Sequence, residues 1–365
     1  MASQDKQVRY AVVGAGHIAQ VAVLPAFAHA RENSRLVALI SGDATKRAVL
    51  RDQYELELDG DYSELEAVIE RGEIDAVYVA TPNSYHKAFT LRAAHAGAHV
   101  LCEKPMAPNT EDCRAMVDAC EASEVKLMVA YRLHFEEATL QALEIARSGK
   151  LGEPRLFSSV FTHVVRADDT RRDPTVAGGA THDLGVYCIN AARNLFEAEP
   201  TDVFATAVFV DGTDDTLSAI LHFPGNRIAQ FSVSNSVAGV SSYRIAGTEG
   251  DLRVEPGYEY VGELVHHLTI GDDTKEKKFK RGDQFAPELK YFSDCILNDR
   301  EPEPSGEEGW CDVRVVEALL ESARSRQPVE LPVYIRRRRP SPLQSDHEPP
   351  VSKPETVHAP DPSLR

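Results

Sequence analysis

The chain has 365 residues, 42% of them hydrophobic, which is more than one ordinary core requires and enough for two domains. Its 57 acidic against 40 basic residues give a formal charge of -17, which disfavours a nucleic acid or an anionic membrane as partner and leaves a small molecule as the expected one. Residues 1–7 carry no signal-like apolar core, no stretch is long enough to span a bilayer, and the six cysteines show no C-x-x-C or Cys/His metal spacing, so buried thiols, a cytoplasmic location and no metal are expected.

Residues 8–13 form a short, mostly apolar run of strand type. The glycine turn Gly14-Ala15-Gly16-His17-Ile18-Ala19 follows, then a helical pattern to about residue 30, which Pro25 should kink by removing one backbone donor. Strands are predicted at 36–40, 76–80 and 99–102, with helices at 44–54 and 85–96. Strands alternating with helices imply a parallel sheet covered on both faces. Asn109 and Thr110 suit the cap of a further helix, in which Cys113, Met116, Val117 and Cys120 fall on one apolar stripe. A strand at 127–130 closes a first, dinucleotide-binding domain expected over 1–130.

From Arg155 the texture changes. Longer strands at 157–161, 203–210, 217–223, 228–233 and 243–246, separated by turn residues, imply a mostly antiparallel sheet. A helix at about 183–196 precedes most of them, and a helix at 312–325 is able to return to the first domain. These elements make up a second domain, 131–335, expected to bind substrate and, through the apolar face of its open sheet, to pair into a homodimer or homotetramer. Residues 336–365 begin with four consecutive arginines and continue proline-rich without apolar periodicity. They read as an extended or disordered tail, with a clasp across a neighbouring subunit as the alternative.

The glycine turn carries cofactor chemistry. Gly14 permits a tight bend, Gly16 lets the backbone approach a pyrophosphate, and the small Ala19 lets helix press on strand. The second strand ends at Ser41, where an NAD-selective protein would place an acid for the ribose hydroxyls. Ser41, Lys46 and Arg47 instead offer a hydroxyl and two cations, a nest for a ribose phosphate, so NADP is the expected cofactor. NAD stays open if Asp43 takes the ribose. The run Cys102-Glu103-Lys104-Pro105 puts a lysine at the end of an apolar strand, where Pro105 biases Lys104 toward an extended backbone that projects its amine.

Five motifs stand in order: the glycine turn, Thr81-Pro82-Asn83-Ser84-Tyr85-His86, Cys102-Glu103-Lys104-Pro105-Met106, Tyr131-Arg132-Leu133-His134-Phe135, and Gly178-Gly179-Ala180-Thr181-His182-Asp183-Leu184-Gly185-Val186-Tyr187. On these, over about residues 8–335, the chain resembles the Gfo/Idh/MocA oxidoreductases, most of all the branch of glucose–fructose oxidoreductase and related NADP-dependent sugar dehydrogenases. The resemblance implies an α/β protein, with an N-terminal Rossmann domain and a C-terminal α+β domain built on a large open-faced, predominantly antiparallel sheet. It implies catalytic residues Lys104, Asp183 and Tyr187. It also implies cofactor contacts at His17, Ile18, Tyr62, Thr81, Pro82, Asn83, His86, Glu103, Lys104, Arg132 and Arg171, besides Gly14, Gly16, Ser41, Lys46 and Arg47. The family's triple glycine is broken by Ala180, and Thr170 replaces the aromatic residue often found before the loop arginine.

On a helix Asp183 and Tyr187 are i and i+4, so a carboxylate and a phenol converge on one pocket. Phenol is a poor base near neutrality, but an ammonium such as Lys104 favours its phenolate form. Tyr187 is then expected to accept a hydroxyl proton as hydride leaves the same carbon, with Lys104 polarising the oxygen and Asp183 orienting the substrate; which of Lys104 and Tyr187 is the ultimate base is left open. His134, His163, His182 and His222 form no recognisable metal set. The leading function is NADP-dependent oxidation of an aldose or related cyclic polyol, with coupled reduction of a second sugar on a retained cofactor as its extension. A trans-dihydrodiol or inositol-type dehydrogenase is the alternative, and a non-catalytic NADP-binding scaffold or sensor the alternative of another class.

Overall fold

The computed structural model describes residues 6–336 and 338–363. Strands β1 (Val8–Val13), β2 (Ser34–Ile40), β3 (Leu58–Gly60), β4 (Ala76–Val79), β5 (His99–Glu103) and β6 (Leu127–Ala130) pair in parallel in the order β3-β2-β1-β4-β5-β6. Helices α1 (Leu24–Ala26), α2 (Ala44–Tyr54), α3 (Leu65–Gly72), α4 (His86–His95) and α5 (Thr110–Ala122) connect them. Alternate residues of β1 enter separate cores, Ala11 and Val13 on one face and Tyr10 and Val12 on the other, as a strand covered on both sides requires. The strand order reverses between β1 and β4, which opens a crevice at their carboxyl ends.

Two local differences from the sequence reading have physical causes. The first helix is not continuous to residue 30: a π turn, Ala19–Val23, gives way to the short α1, where Pro25 has no N–H to continue a regular ladder. Strand β3 and helix α3 were not anticipated. The former is a three-residue edge, but the latter carried a signal, a capping box from Asp61 to Glu64 followed by buried Leu65, Val68 and Ile69.

The second sheet comprises β7 (Pro154–Val164), β8 (Asp202–Val210), β9 (Thr213–Phe223), β10 (Arg227–Ser234), β11 (Ser236–Gly247), β12 (Gly250–Val254), β13 (Leu264–Ile270), β14 (Asp273–Phe279) and β15 (Val329–Glu330). It has nine strands in the order β14-β13-β12-β11-β7-β10-β9-β8-β15, all antiparallel neighbours except β7 and β10. Strands β12 to β14 escaped the sequence reading; β14 is almost wholly charged and exposed, so it has no apolar alternation. Among the described residues the remaining α-helices are α6 (Glu137–Arg147), α7 (Val186–Leu195), α8 (Ala286–Leu297) and α9 (Gly306–Ser325). In β9, Leu217, Ala219 and Leu221 face the helical core while Ile220, 41% exposed, faces outward beside Phe204 of β8.

Helix α9 returns to the first domain, packing on α5 and β6 as well as on β8. Gly306 and Gly309 allow this approach, since a Cβ at either would lie 2.7 Å from a side-chain atom of Val117 or Met106. Beside its first two turns a fully buried Arg193 of α7 is surrounded by Glu199, Glu308 and Asp312. Arg336 joins the cluster through Glu303 at 2.9 Å and through Glu308, and Arg339 reaches Glu199 at 3.4 Å. Residues 338–363 then run extended along their own chain, with one 3-10 turn at Pro342–Gln344. Buried carboxylates 28 or more positions away in sequence supply what the tail's own composition lacks, as in the hydrogen bond from Arg336 to Glu303 with its separation of 33.

Candidate active site

Lys104 follows β5 and reaches across to the second domain. Its Nζ donates to the backbone oxygen of Asp183 at 3.1 Å and to Oδ1 at 3.2 Å. Asp183 lies not on a regular helix but in a five-residue π turn, Thr181–Gly185, that leads into α7. Asp214 fastens that turn by accepting from Thr181 N at 2.7 Å, and Gly179, at φ +130, passes so close that a Cβ there would overlap the same carboxylate. The widened turn still presents Asp183 and Tyr187 to one side.

Three cationic or imidazole groups converge on Asp183. Besides Lys104, Arg171 Nε lies 3.0 Å and His163 Nε2 3.5 Å from Oδ2. Burial alone would push the carboxyl up, but Arg171, Lys104 and His163 outweigh it and hold Asp183 well below the ordinary range. Burial likewise works against the Lys104 ammonium, yet Tyr187, Asp183 and Glu103 together raise it above the usual lysine value. The ring of Tyr187 has Lys104 Nζ 4.7 Å and Arg132 Cζ 5.1 Å from its centroid, with Phe161 packed edge-on at 5.6 Å. Arg132 is itself held, through Nη2 to the carbonyl of Tyr258 at 2.6 Å and through Nη1 to Gln284.

The remaining residues line the crevice at the carboxyl ends of β1, β2 and β4. Gly14, at φ +103, lies so near Ala80 that a Cβ would sit 2.5 Å from its carbonyl oxygen, whereas the space where a Cβ of Gly16 would point holds no atom within 4 Å. Ile18 packs on the core under the turn, and His17 Nδ1 is 3.2 Å from the carbonyl of Ala359. Ser41 is buried at the end of β2, and the Tyr62 ring packs against Gly42 beside it. Asp43 is committed: Oδ1 caps α2 by accepting from Thr45 N and Lys46 N, and Oδ2 lies 2.9 Å from His358 Nδ1. Arg47 turns back onto Ser41 O and pairs with Asp59 at 3.4 Å and Asp61 at 3.5 Å. Lys46, by contrast, has no ion pair among the described residues.

Beyond β4, the Thr81 hydroxyl oxygen is buried without a partner, and Pro82 leads to Asn83, which donates to the carbonyl of Ala177 at 2.9 Å. His86 brackets two loops, Nε2 2.8 Å from Thr81 O and Nδ1 3.0 Å from Pro105 O, and its burial lowers its basicity. Glu103 is buried beneath the site, accepting from Lys104 N at 3.2 Å and from Tyr78 Oη at 2.9 Å. A glycine turn open above Gly16, an orphaned Thr81 hydroxyl and an unpaired Lys46 fit a phosphorylated dinucleotide.

Thus Lys104, Asp183 and Tyr187 meet at one point with Arg132 and Arg171, while the glycine turn, Ser41, Lys46, Tyr62 and Thr81 to Asn83 line the adjoining crevice. Arg171 lies against Asp183, and Arg47 and His86 hold loops rather than facing open space. His134, His163, His182 and His222 lie apart, against Asn190, Asp183, Pro108 O and Asp202 respectively. Sequence reasoning gave His163 no role beside Asp183, although the period of two from Phe157 through Phe161 places it on the inner face of β7. It also missed Asp214 and the segment Val357 to Ala359, for which no local signal exists.

Residues 8–131 match the Gfo/Idh/MocA oxidoreductase family, NAD-binding Rossmann fold, and residues 139–253 match a Gfo/Idh/MocA C-terminal domain. The chain is 32% identical over 339 residues to D-xylose 1-dehydrogenase [NADP(+)] of Haloarcula marismortui, covering 90% of this chain and 94% of that protein. It is 29% identical to mouse trans-1,2-dihydrobenzene-1,2-diol dehydrogenase, over 89% of this chain and 98% of that one. The crystal structure of aldose-aldose oxidoreductase from Caulobacter crescentus, complexed with glycerol, superposes with a TM-score of 0.85 at 34% identity, over 89% of this chain and 100% of that one. With family models matching both domains and a 32% identical relative matched over 94% of its length, the chain belongs to the Gfo/Idh/MocA oxidoreductase family.

Proposed function

We infer that the protein is an NADP-dependent oxidoreductase that moves a hydride between a CH–OH carbon of a sugar and the nicotinamide. The observation that carries this reading is the Lys104 ammonium, held on Asp183 and against the Tyr187 ring at the carboxyl end of the parallel sheet. The bound dinucleotide supplies the hydride acceptor. Lys104, whose ammonium form Tyr187, Asp183 and Glu103 favour against the burial that opposes it, polarises the sugar oxygen. Tyr187 takes the hydroxyl proton, and Asp183 with His163 orients the neighbouring hydroxyls. Arg132 and Phe161 hold the Tyr187 ring, while Arg171 balances the charge of Asp183.

The substrate class is an aldose, supported by the xylose dehydrogenase and aldose-aldose oxidoreductase relatives. A second reading, oxidation of a trans-dihydrodiol, is supported by the mouse relative and would call on the same residues of this chain. Incubating the protein with NADP and a panel of aldoses and dihydrodiols, while following the absorbance of the reduced nicotinamide, separates the two. Reduction with aldoses is the expected result, and reduction with dihydrodiols alone would replace the sugar reading.

The finer assignments rest on separate observations. Homo-oligomer formation through the open sheet is supported by its outward Leu156, Phe204, Val208, Ile220 and Ile228. A cytoplasmic location is supported by six buried cysteines that form no disulfide, and no helix among the described residues is long and apolar enough to cross a membrane.

A further inference from the structure

The C-terminal segment reaches the dinucleotide crevice from outside both sheets. Beyond its arginine anchors, Asp346 and Glu348 hold Lys290 of α8 at 2.6 and 2.7 Å, and Glu348 O accepts from Asp283 N at 2.9 Å. The chain then crosses the glycine turn. Val357 exchanges two hydrogen bonds with the Gln20 side chain, its N–H donating to Oε1 at 2.7 Å and its carbonyl accepting from Nε2 at 2.9 Å. The carbonyl of Ala359 lies at His17, and His358 lies at Asp43. Finally the segment lands on the second domain, where Arg166 N donates to Pro362 O at 2.9 Å and Ser363 bridges Val165. Lys353 and Asp361 pair at 3.1 Å across the loop so formed.

This docking has the marks of a built contact. Gln20 is fully buried, a polar side chain that is costly unless paired, and Val357 N supplies the donor to its Oε1. His358 adopts φ 46, a left-handed conformation that a residue with a Cβ keeps only when its surroundings hold it. The path runs from the glycine turn to the loop before Arg171, so it bridges the two walls of the crevice. At its middle, His358 shares Asp43 with the capped start of α2, the corner occupied by Ser41 and Lys46.

We propose that residues 353–363 belong to the cofactor site: they form its outer wall and hold the dinucleotide through successive turnovers. The proposal rests on the cofactor reading above and not on the identity of the sugar. A wall that bridges both domains must detach before the dinucleotide leaves, so it acts on the dissociation rate. Retention is what coupled aldose chemistry needs. A dinucleotide held in place would let one sugar be oxidised and a second reduced in turn, one proton being released in the first half and one taken up in the second.

The test compares the full chain, a chain ending after Ser352, and the full-length double variant Lys353→Ala/His358→Ala, whose changed side chains are exposed enough to leave folding intact. NADPH release is followed by stopped-flow fluorescence on adding excess NADP, and dinucleotide content is measured after gel filtration. Truncation is expected to speed release by about tenfold or more and to strip the dinucleotide from the filtered protein, with the double variant intermediate. Unchanged release in both variants would overturn the proposal, as would slower release or tighter binding on truncation, which would make the segment a competitor of the cofactor. If aldoses are turned over while release is unchanged, the proposed wall fails and the sugar reading stands. If release quickens while no aldose reacts, the reverse holds.

Discussion

The Lys104 ammonium donates to two oxygens of one residue, the carbonyl and the carboxylate of Asp183, at 3.1 and 3.2 Å. An ammonium has three N–H donors, so this grip fixes the group across the domain boundary and leaves one donor beside the Tyr187 ring. A cation held in this way suits polarisation of an oxygen better than proton abstraction.

Lys104→Ala and Tyr187→Phe should each lower kcat by about a hundredfold or more while changing NADP affinity only a few-fold, because both act on the hydride step. Steady-state kinetics together with NADPH fluorescence titration check this. Near-normal turnover in Tyr187→Phe would remove the phenol from the chemistry.

NADP should bind much more tightly than NAD, since Asp43 is spent on capping α2 and on His358 while Lys46 is unpaired among the described residues. Lys46→Ala should erode the preference by about tenfold, the order of one charge-assisted contact. Arg47→Ala should instead lower the melting temperature, because that guanidinium is bound to Ser41 O, Asp59 and Asp61. Equal affinity for NAD in the unaltered protein would refute the phosphate nest.

Tyr78 Oη lies 2.9 Å from Glu103 and 3.0 Å from Glu288, all buried, yet a phenol has a single hydrogen to donate. Burial, with Glu103 next, raises Glu288 well above the usual carboxylate range, and a Glu288 that keeps its proton would donate to Tyr78 while Tyr78 donates to Glu103. The folded protein then binds a proton that the unfolded chain releases near pH 4 to 5, and this group's contribution makes stability fall as pH rises above about 4.3 toward its folded value. Glu288→Gln keeps the shape and a donor without the titration. Between pH 5 and 8 it should gain stability relative to the unaltered protein by about 1 kcal/mol or more in denaturant titrations. A loss over that interval would mean that Glu288 is ionised.

Arg193→Met should destabilise by roughly 3–5 kcal/mol, because it strands Glu199, Glu308 and Asp312 in the core. Burial holds Asp312 up at about 6 even with Arg193 present, so the deficit should be larger at pH 8 than at pH 5, where carboxyls without their cation can take up protons. Urea unfolding at the two values measures it, and a pH-independent loss would contradict the charge argument.

Ile220→Lys, on the outward sheet face beside Phe204, should convert a dimer or tetramer into monomer without altering NADP affinity. Sedimentation velocity at micromolar concentration reads the outcome. An assembly that survives this charge would have to use another surface.

Contiguous residues carried what local chemistry can encode. Val8–Val13 and Ala44–Tyr54 emerge with the bounds that apolar periodicity and flanking turns imply, and the glycine turn and the Lys104–Pro105 junction stand at the carboxyl ends of β1 and β5, where their chemistry requires. The pairing of Lys104 with Asp183, 79 positions apart, was within reach because each belongs to a motif with its own signal. Tertiary structure alone decided the rest. The π turn under Asp183 depends on Asp214 from another strand, Arg171 is drawn onto Asp183, and Arg47 is drawn onto Asp59 and Asp61. The tail lacks apolar periodicity and so reads as unable to order itself. It docks because buried carboxylates and the Gln20 amide, separated by 337 positions from Val357, offer partners that exist only once both domains have folded. Hydrogen bonds and ion pairs are satisfied by whatever the fold brings near, whereas periodicity, caps and turns are properties of neighbours in the chain.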